Sequence, residues 1–199
     1  MIRFALSALP AQPWKNGGGT TRELAAAPPG AGTTGFTWRV SVAEIAQPGP
    51  FSAFPGVDRQ IMLLAGEGVR LRGAAIDHRL ERPLEPFAFA GEEAIDAELL
   101  GGPSLDLNVM TRRGAVRAAI DVVRGPALVG ACDGLVLFAA RGAFRVTSRA
   151  PSEGDAAPLA PPLGLREGEG AVFREGAAGL AVEAEAPEGA LVVIRLRNE

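Results

Sequence analysis

Leu63-Leu64-Ala65-Gly66-Glu67-Gly68-Val69 and Leu137-Phe138-Ala139-Ala140-Arg141-Gly142-Ala143 read as one pattern written twice, 74 residues apart. Each is an apolar strand, a glycine-containing turn and the start of a second strand, which is the signature of a repeated hairpin. Further along, Gly91 and residues 95–110 align with Gly176 and residues 180–195 at an offset of 85. The 11-residue difference between the offsets falls in or near residues 148–164, a stretch rich in Pro, Ala, Ser and Gly that reads as a surface loop. The simplest account is two related β-units, residues 1–113 and 114–199, packed as one body.

Outward from this repeat, 26 Gly and 16 Pro cut the apolar segments into short pieces, and few long windows keep a helical period. The profile is all-β. Strands are expected over residues 36–42, 60–64, 69–72, 106–110, 134–139, 144–148, 180–184 and 190–196, with one short helix over 42–46. Repeated hairpins at this size point to two small antiparallel barrels or sandwiches of the jelly-roll kind, which limit exposed edges. The offsets alone leave a single larger sandwich open.

Composition excludes several function classes. Lys plus Arg total 20 against 23 Asp plus Glu, a net charge of -3, and no basic stripe offers the phosphate neutralisation that nucleic acid requires. The opening MIRFALSALPAQPW is too broken for a signal-peptide core, and no apolar run is long enough to span a bilayer, so the expectation is a soluble, cytoplasmic protein without a membrane partner. One histidine, His78, and one cysteine, Cys132, leave little for metal binding or for His-based catalysis. His78 lacks a partner at metal-ligand spacing and reads as solvated surface. Cys132 reads as a small buried residue beside a turn.

The polar candidates crowd into the first 113 residues. Asp106 and Asn108 lie two apart on a strand and share a face. At the 85-residue offset they align with Leu191 and Val193, so one face is polar in the first unit and apolar in the second. Either that face turns into the first unit and makes a polar interior, or it meets solvent. In Thr37-Trp38-Arg39-Val40-Ser41-Val42 the same choice recurs, with Arg39 and Ser41 opposite the apolar residues. Arg39 is placed to pair with Asp106 or to grip a ligand carboxylate in a two-pronged fork.

Trp14-Lys15-Asn16-Gly17-Gly18-Gly19 is the densest local signal, and Lys15 is the sole lysine of the chain. Consecutive glycines suit an anion-binding nest of N–H groups or, equally, a flexible turn. In Phe51-Ser52-Ala53-Phe54-Pro55-Gly56-Val57-Asp58-Arg59, Pro55-Gly56 suits a type II turn, Phe51 and Phe54 a packed loop, and Asp58 and Arg59 either a surface pair or rim groups around a ligand. Phe87 and Phe89 read as core.

WKNGGGTTRE, FTWRVSVAEIAQPGPFSAFPGVDRQIMLLAGEGVRL, PFAFAGE and GGPSLDLNVMTRR together resemble the HutD/Ves family in residue type, order and spacing, over most of residues 14–113. The resemblance implies an all-β fold of two fused cupin-like barrels, the first carrying the site and the second degenerate. It implies a bacterial cytoplasmic protein tied to histidine utilisation, binding a pathway acid such as formylglutamate or urocanate, or to a stress response. Metal-dependent cupins use a His-rich motif that this chain does not contain, so the expectation is a pocket without metal or other cofactor. The family motifs put Lys15, Asn16, Arg39, Ser41, Phe51, Ser52, Asp58, Arg59, Asp106, Asn108 and Arg112 in the candidate site.

The reading favoured at this level is a binding module for a small carboxylate metabolite, with Arg39 and Lys15 or Arg59 neutralising charge. A metal-independent hydrolase or isomerase with Asp106 or Asp58 as base is the competing reading, and an interaction protein the third. The apolar-rich β-surface is compatible with a homodimer.

Overall fold

The structure is a computed structural model that describes residues 1–148, 161–174 and 179–199. From the N-terminus its strands are β1 (Ile2–Ala5), β2 (Gln12–Pro13), β3 (Gly19–Ala27), β4 (Trp38–Ile45), β5 (Gly49–Pro50), β6 (Val57–Ala65), β7 (Val69–Arg72), β8 (Asp77–Leu80), β9 (Pro86–Ala90) and β10 (Asp96–Leu99). They continue as β11 (Ser104–Arg112), β12 (Val116–Val123), β13 (Ala127–Val129), β14 (Gly134–Arg141), β15 (Phe144–Ser148), β16 (Leu163–Leu165), β17 (Glu169–Phe173), β18 (Leu180–Ala184) and β19 (Ala190–Asn198). The one helical turn among the described residues is a 3-10 turn at Leu6–Ala8, and no helix is long and apolar enough to cross a membrane.

The chain divides into two compact units. The first, Leu9–Arg117 with Glu199, holds a six-stranded sheet in the order β2-β3-β4-β11-β6-β9 and a four-stranded sheet in the order β5-β10-β7-β8. Ile45, Ile61, Leu63 and Phe89 of the larger sheet pack against Val69, Leu71, Leu80, Ile95 and Ala97 of the smaller side. The second unit, Met1–Ala8 with Ala118–Asn198, pairs a sheet β1-β17-β14-β19-β12 with a sheet β13-β18-β15-β16. Its core includes Leu135, Leu137, Phe144, Val146, Leu191 and Val193.

Comparison of these orders shows how far the repeat extends. β4-β11-β6-β9 is matched by β12-β19-β14-β17, and β5-β10-β7-β8 by β13-β18-β15-β16. The sequence offsets capture four strands of each unit, and the sheet pairings extend the match to eight. Each unit is a pair of open sheets facing across a core, not a barrel closed on itself.

Several sequence expectations need correction. Residues 42–46 are not a helix: Val40 and Val42 are β-branched, and β4 is bonded on both sides, to β3 and to β11. The alanine-rich β3 is a strand that composition does not suggest, because its small side chains fit the buried pairing with β4. Met1–Ala8 belongs with the second unit, not with residues 9–113, since β1 pairs along β17 from Ile2↔Val172 to Ala5↔Glu169. Most of the expected loop at 148–164, and Gly176 of the second repeat, lie outside the described residues; the end of that loop begins β16, which pairs with β15.

The triple glycine has a packing role. A Cβ at Gly19 would collide with the Glu44 carbonyl and press on the Trp14 ring. Gly19→Ala therefore forces β3 away from β4, and the expected result in urea unfolding is a loss of about 1–3 kcal/mol, whereas Gly114→Ala, which meets open space at a positive φ, should cost less.

Candidate functional site

Along β4 and β11 the alternation of a strand sends Arg39, Ser41, Ala43 and Ile45 to one face and, opposite them, Met110, Asn108, Asp106 and Ser104. This face turns into the first unit. Arg39 and Asn108 are 7% exposed, Ser41 is 2% and Asp106 is 0%, so a solvent-facing arrangement is ruled out. The opposite face, with Trp38, Val40, Val42, Leu107 and Val109, is buried as well. β6 adds Arg59, which pairs with Met110 on one side and with Phe89 on the other.

Arg39, Ser41, Ala43, Ile45, Asn108, Met110 and Arg59 form part of the wall of a cavity of about 910 Å³. Its polar wall is formed by Lys15, Asn16, Thr21, Arg39, Ser41, Ser52, Arg59, Asn108 and Arg112, and its apolar wall by Trp14, Ile45, Phe51, Phe54, Val57 and Met110. Among the described residues, four cationic side chains reach this wall and no carboxylate does. Such an excess is notable in a chain of net charge -3.

The arginines differ in how their charge is met. Arg39 donates from Nε to Glu23 Oε2 at 2.8 Å, so a protein carboxylate already neutralises it; a second N–H reaches Ser41 Oγ at 3.5 Å. Of the two partners considered for Arg39, a ligand carboxylate or Asp106, the second is not met: Glu23 takes its place. Arg59 donates to Asn108 Oδ1 at 3.1 Å and to the Ser52 carbonyl at 3.4 Å. Its guanidinium carbon lies 5.2 Å from the Phe51 ring centre, 5.6 Å from Phe54 and 4.8 Å from Phe89. These faces attract the cation, at about 0.5–2 kcal/mol each, but no ion pair with a carboxylate is formed among the described residues. Burial, with the nearby charge of Arg39 as a smaller cause, pulls the Arg59 pKa down to about 10. Arg59 remains a cation at neutral pH, enclosed, with its Nε lacking a partner.

Local structure holds this wall in place. Phe54-Pro55-Gly56-Val57 is a turn with Val57 N–H bonded to the Phe54 carbonyl and Gly56 at φ 73°, as a type II turn requires. Arg112 donates to the carbonyls of Pro55 and Thr34. Trp14 donates from Nε1 to Thr21 Oγ1 at 2.7 Å and meets Phe51 edge to face. The glycine loop, however, offers no free nest: Gly17 N–H is bonded to the Trp14 carbonyl and Gly18 N–H to Asn16 Oδ1.

Of the eleven residues expected in the site, nine line the cavity: Lys15, Asn16, Arg39, Ser41, Phe51, Ser52, Arg59, Asn108 and Arg112. Asp58 does not, because strand alternation turns it outward from Arg59, and it pairs with Arg113 at 2.7 Å. Asp106 does not either. It lies between the wall residues Ala43 and Asn108, accepts one hydrogen bond from Ser104 Oγ at 3.0 Å, and leaves Oδ1 without a partner. Neither carboxylate is in reach of a cavity-bound ligand as a base. Sequence reasoning missed Glu23 as the partner of Arg39 and Thr21 as a wall residue, and it left Trp14 and Phe54, which also line the cavity, off the candidate list, although all four lie inside the quoted motifs.

Burial pushes the Asp106 pKa up to about 7, with the Ser104 hydrogen bond opposing the shift. The described residues do not fit a metal ion: no group of three or more His, Cys, Asp or Glu is placed to hold one. His78, expected as solvated surface, is half-buried and lies flat on Phe87, with ring centres 3.8 Å apart.

Comparison with known proteins gives consistent results. The HutD family model matches residues 6–191. Protein Ves of Citrobacter koseri is 42% identical over 148 residues, which cover 73% of this chain and 76% of that protein. The structure of HutD from Pseudomonas fluorescens SBW25, in its formate condition, superposes with a TM-score of 0.81 at 26% identity, covering 100% of this chain and 98% of that one. A variant of oxalate decarboxylase from Bacillus subtilis shares the fold at a TM-score of 0.66 and 11% identity, over 100% of this chain and 77% of the other.

Asp106 also makes a prediction about stability. In the unfolded chain an aspartate titrates near pH 4, so between about pH 4 and 7 the folded protein keeps a proton that the unfolded chain has lost. This contribution to stability falls as pH rises through that window and levels off above it. Asp106→Asn should gain stability relative to the parent between pH 5 and pH 8 in denaturant titrations; parallel pH curves for the two proteins would contradict the assignment.

Proposed function

We propose that this chain, which belongs to the HutD family, is a binding protein for a small carboxylate-bearing metabolite, with Arg59 in the first unit as the charge partner of the ligand. The observation that carries this reading is the imbalance of the cavity wall among the described residues: four cations, no carboxylate, and one arginine enclosed without a counter-ion. A buried cation of this kind is costly unless an anion meets it. A ligand carboxylate at Arg59 supplies what Glu23 already supplies to Arg39. Asn108 then acts through Arg59, fixing its guanidinium from below, while Trp14, Phe51 and Phe54 cover the ligand body and Lys15 and Arg112 complete the positive field.

Within histidine utilisation, to which the family is linked, the acids that fit this chemistry are formylglutamate and urocanate. The proposed role is to sense or buffer such an intermediate and so modulate the pathway, by binding and not by turnover. With Asp58 outside the cavity and Asp106 behind its wall, neither of the two carboxylates considered as a base faces the ligand. The second unit is read as a degenerate copy that keeps the frame but carries Val193, part of its core, where the first unit has Asp106.

Charge-partner residues are expected to dominate affinity. Arg59→Ala should weaken binding of either acid by about thirty-fold or more, since removing one partner of a desolvated charge pair costs about 2–5 kcal/mol. Tryptophan fluorescence is a suitable readout because Trp14 lines the cavity. Binding that is unchanged in Arg59→Ala would remove the proposed anchor.

A further inference from the structure

Behind the cavity wall, Asp106 is fully enclosed, and its surroundings do little to stabilise a charge. Its only hydrogen bond comes from Ser104, its second oxygen is bare, and no cation comes within ion-pair distance among the described residues. Directly across the sheet it faces Ala43 on β4 and Leu63 on β6. The four-stranded sheet turns Val69, Leu71, Leu80 and Ala97 inward, and His78 shares that face, since it pairs with Leu71 and lies two residues from Leu80 on β8. The charged side chains that share this interior are Glu23 on β3, Arg39 on β4, Arg59 on β6, Arg112 on β11 itself and Lys15 in the loop before β3. The His78 ring is stacked on that of Phe87.

Two residues along the same strand face is Asn108, the side chain that holds Arg59. A charge on Asp106 and a charge on a ligand at Arg59 would thus lie in one poorly solvated interior, where like charges repel over short distances far more strongly than in water. Each disfavours the other, and linkage makes the effect reciprocal.

Building on the anion-binding reading above, we infer that binding in this cavity is proton-linked: Asp106 takes up a proton from solvent as the anion enters, and affinity for the anion falls once Asp106 ionises. The enclosure of this carboxyl already places its titration near neutrality, at about pH 7, where such coupling has an effect. The linkage makes the same metabolite bind more tightly on the acid side of neutrality, with no histidine involved.

Acetate, which stays ionised across the range, is a suitable probe for the full-length chain, with Trp14 fluorescence read from pH 6 to 8. The dissociation constant should rise several-fold over that interval in the parent protein. In Asp106→Asn it should stay near the value the parent has at pH 6. Ser104→Ala, which removes the one hydrogen bond favouring the ionised carboxyl, should move the transition to higher pH, and it tests the idea even if Asp106→Asn does not fold. A slope that survives in Asp106→Asn assigns the effect to another group, His78 first, and overturns the inference. Acetate binding that is independent of pH in the parent overturns it as well, leaving the carboxylate site intact; no acetate binding at any pH overturns both.

Discussion

The enclosed positive charge of Arg59 is the constraint around which the first unit is organised. An unpaired guanidinium taken out of water is held only if its surroundings replace much of what water supplied. Here the replacement is partial: an amide oxygen from Asn108, a backbone carbonyl from Ser52 and the faces of Phe51, Phe54 and Phe89. Each of these groups depends on a different element. Asn108 needs the register of β11 against β6, Phe89 needs β9, and Phe51, Ser52 and Phe54 need the loop closed by the Pro55-Gly56 turn. The second arginine shows the alternative. Arg39 has Glu23, and a complete ion pair leaves it less demand for a ligand.

The repeat allows this arrangement to be compared with a filled version of itself. Both units use the same eight-strand pattern of pairing. In the first, β6 pairs with β11 at Asp106↔Leu63; in the second, β14 pairs with β19 at Leu137↔Val193. With Leu63 and Leu137 equivalent in the repeat, Asp106 takes the place of Val193, two residues from the alignment read in sequence, and a two-residue step keeps the face. Val193 is core, so the same inward position carries apolar packing in one unit and a carboxyl in the other. A frame already stabilised by its hairpins tolerates such polar residues on one face, provided that most of their atoms find partners.

Much of this was legible in the chain. Glycine-turn hairpins at fixed offsets gave the all-β class and the duplication, because turn chemistry and strand alternation are local properties. Alternation also paired Arg39 with Ser41 and Asp106 with Asn108. Which face turned inward was not legible: the apolar face with Trp38, Val40 and Val42 is buried too, and a strand buried on both faces defeats the rule that polar residues look outward. The Glu23–Arg39 pair was hidden for a different reason, since it joins neighbouring strands through a bulged register between Glu23 and Ala25. The assignment of β1 to the second unit depends on a pairing across more than 160 residues, about which local sequence carries no information.

Whether a carboxylate in fact sits at Arg59 is best settled by a crystal structure of the protein grown with formylglutamate or urocanate. The account requires carboxylate oxygens within charge-assisted hydrogen-bond distance of the Arg59 guanidinium, about 2.7–2.9 Å, with Glu23 still on Arg39. A ligand bound elsewhere, or held by Arg39 with Glu23 displaced while Arg59 remains unmet, would contradict it.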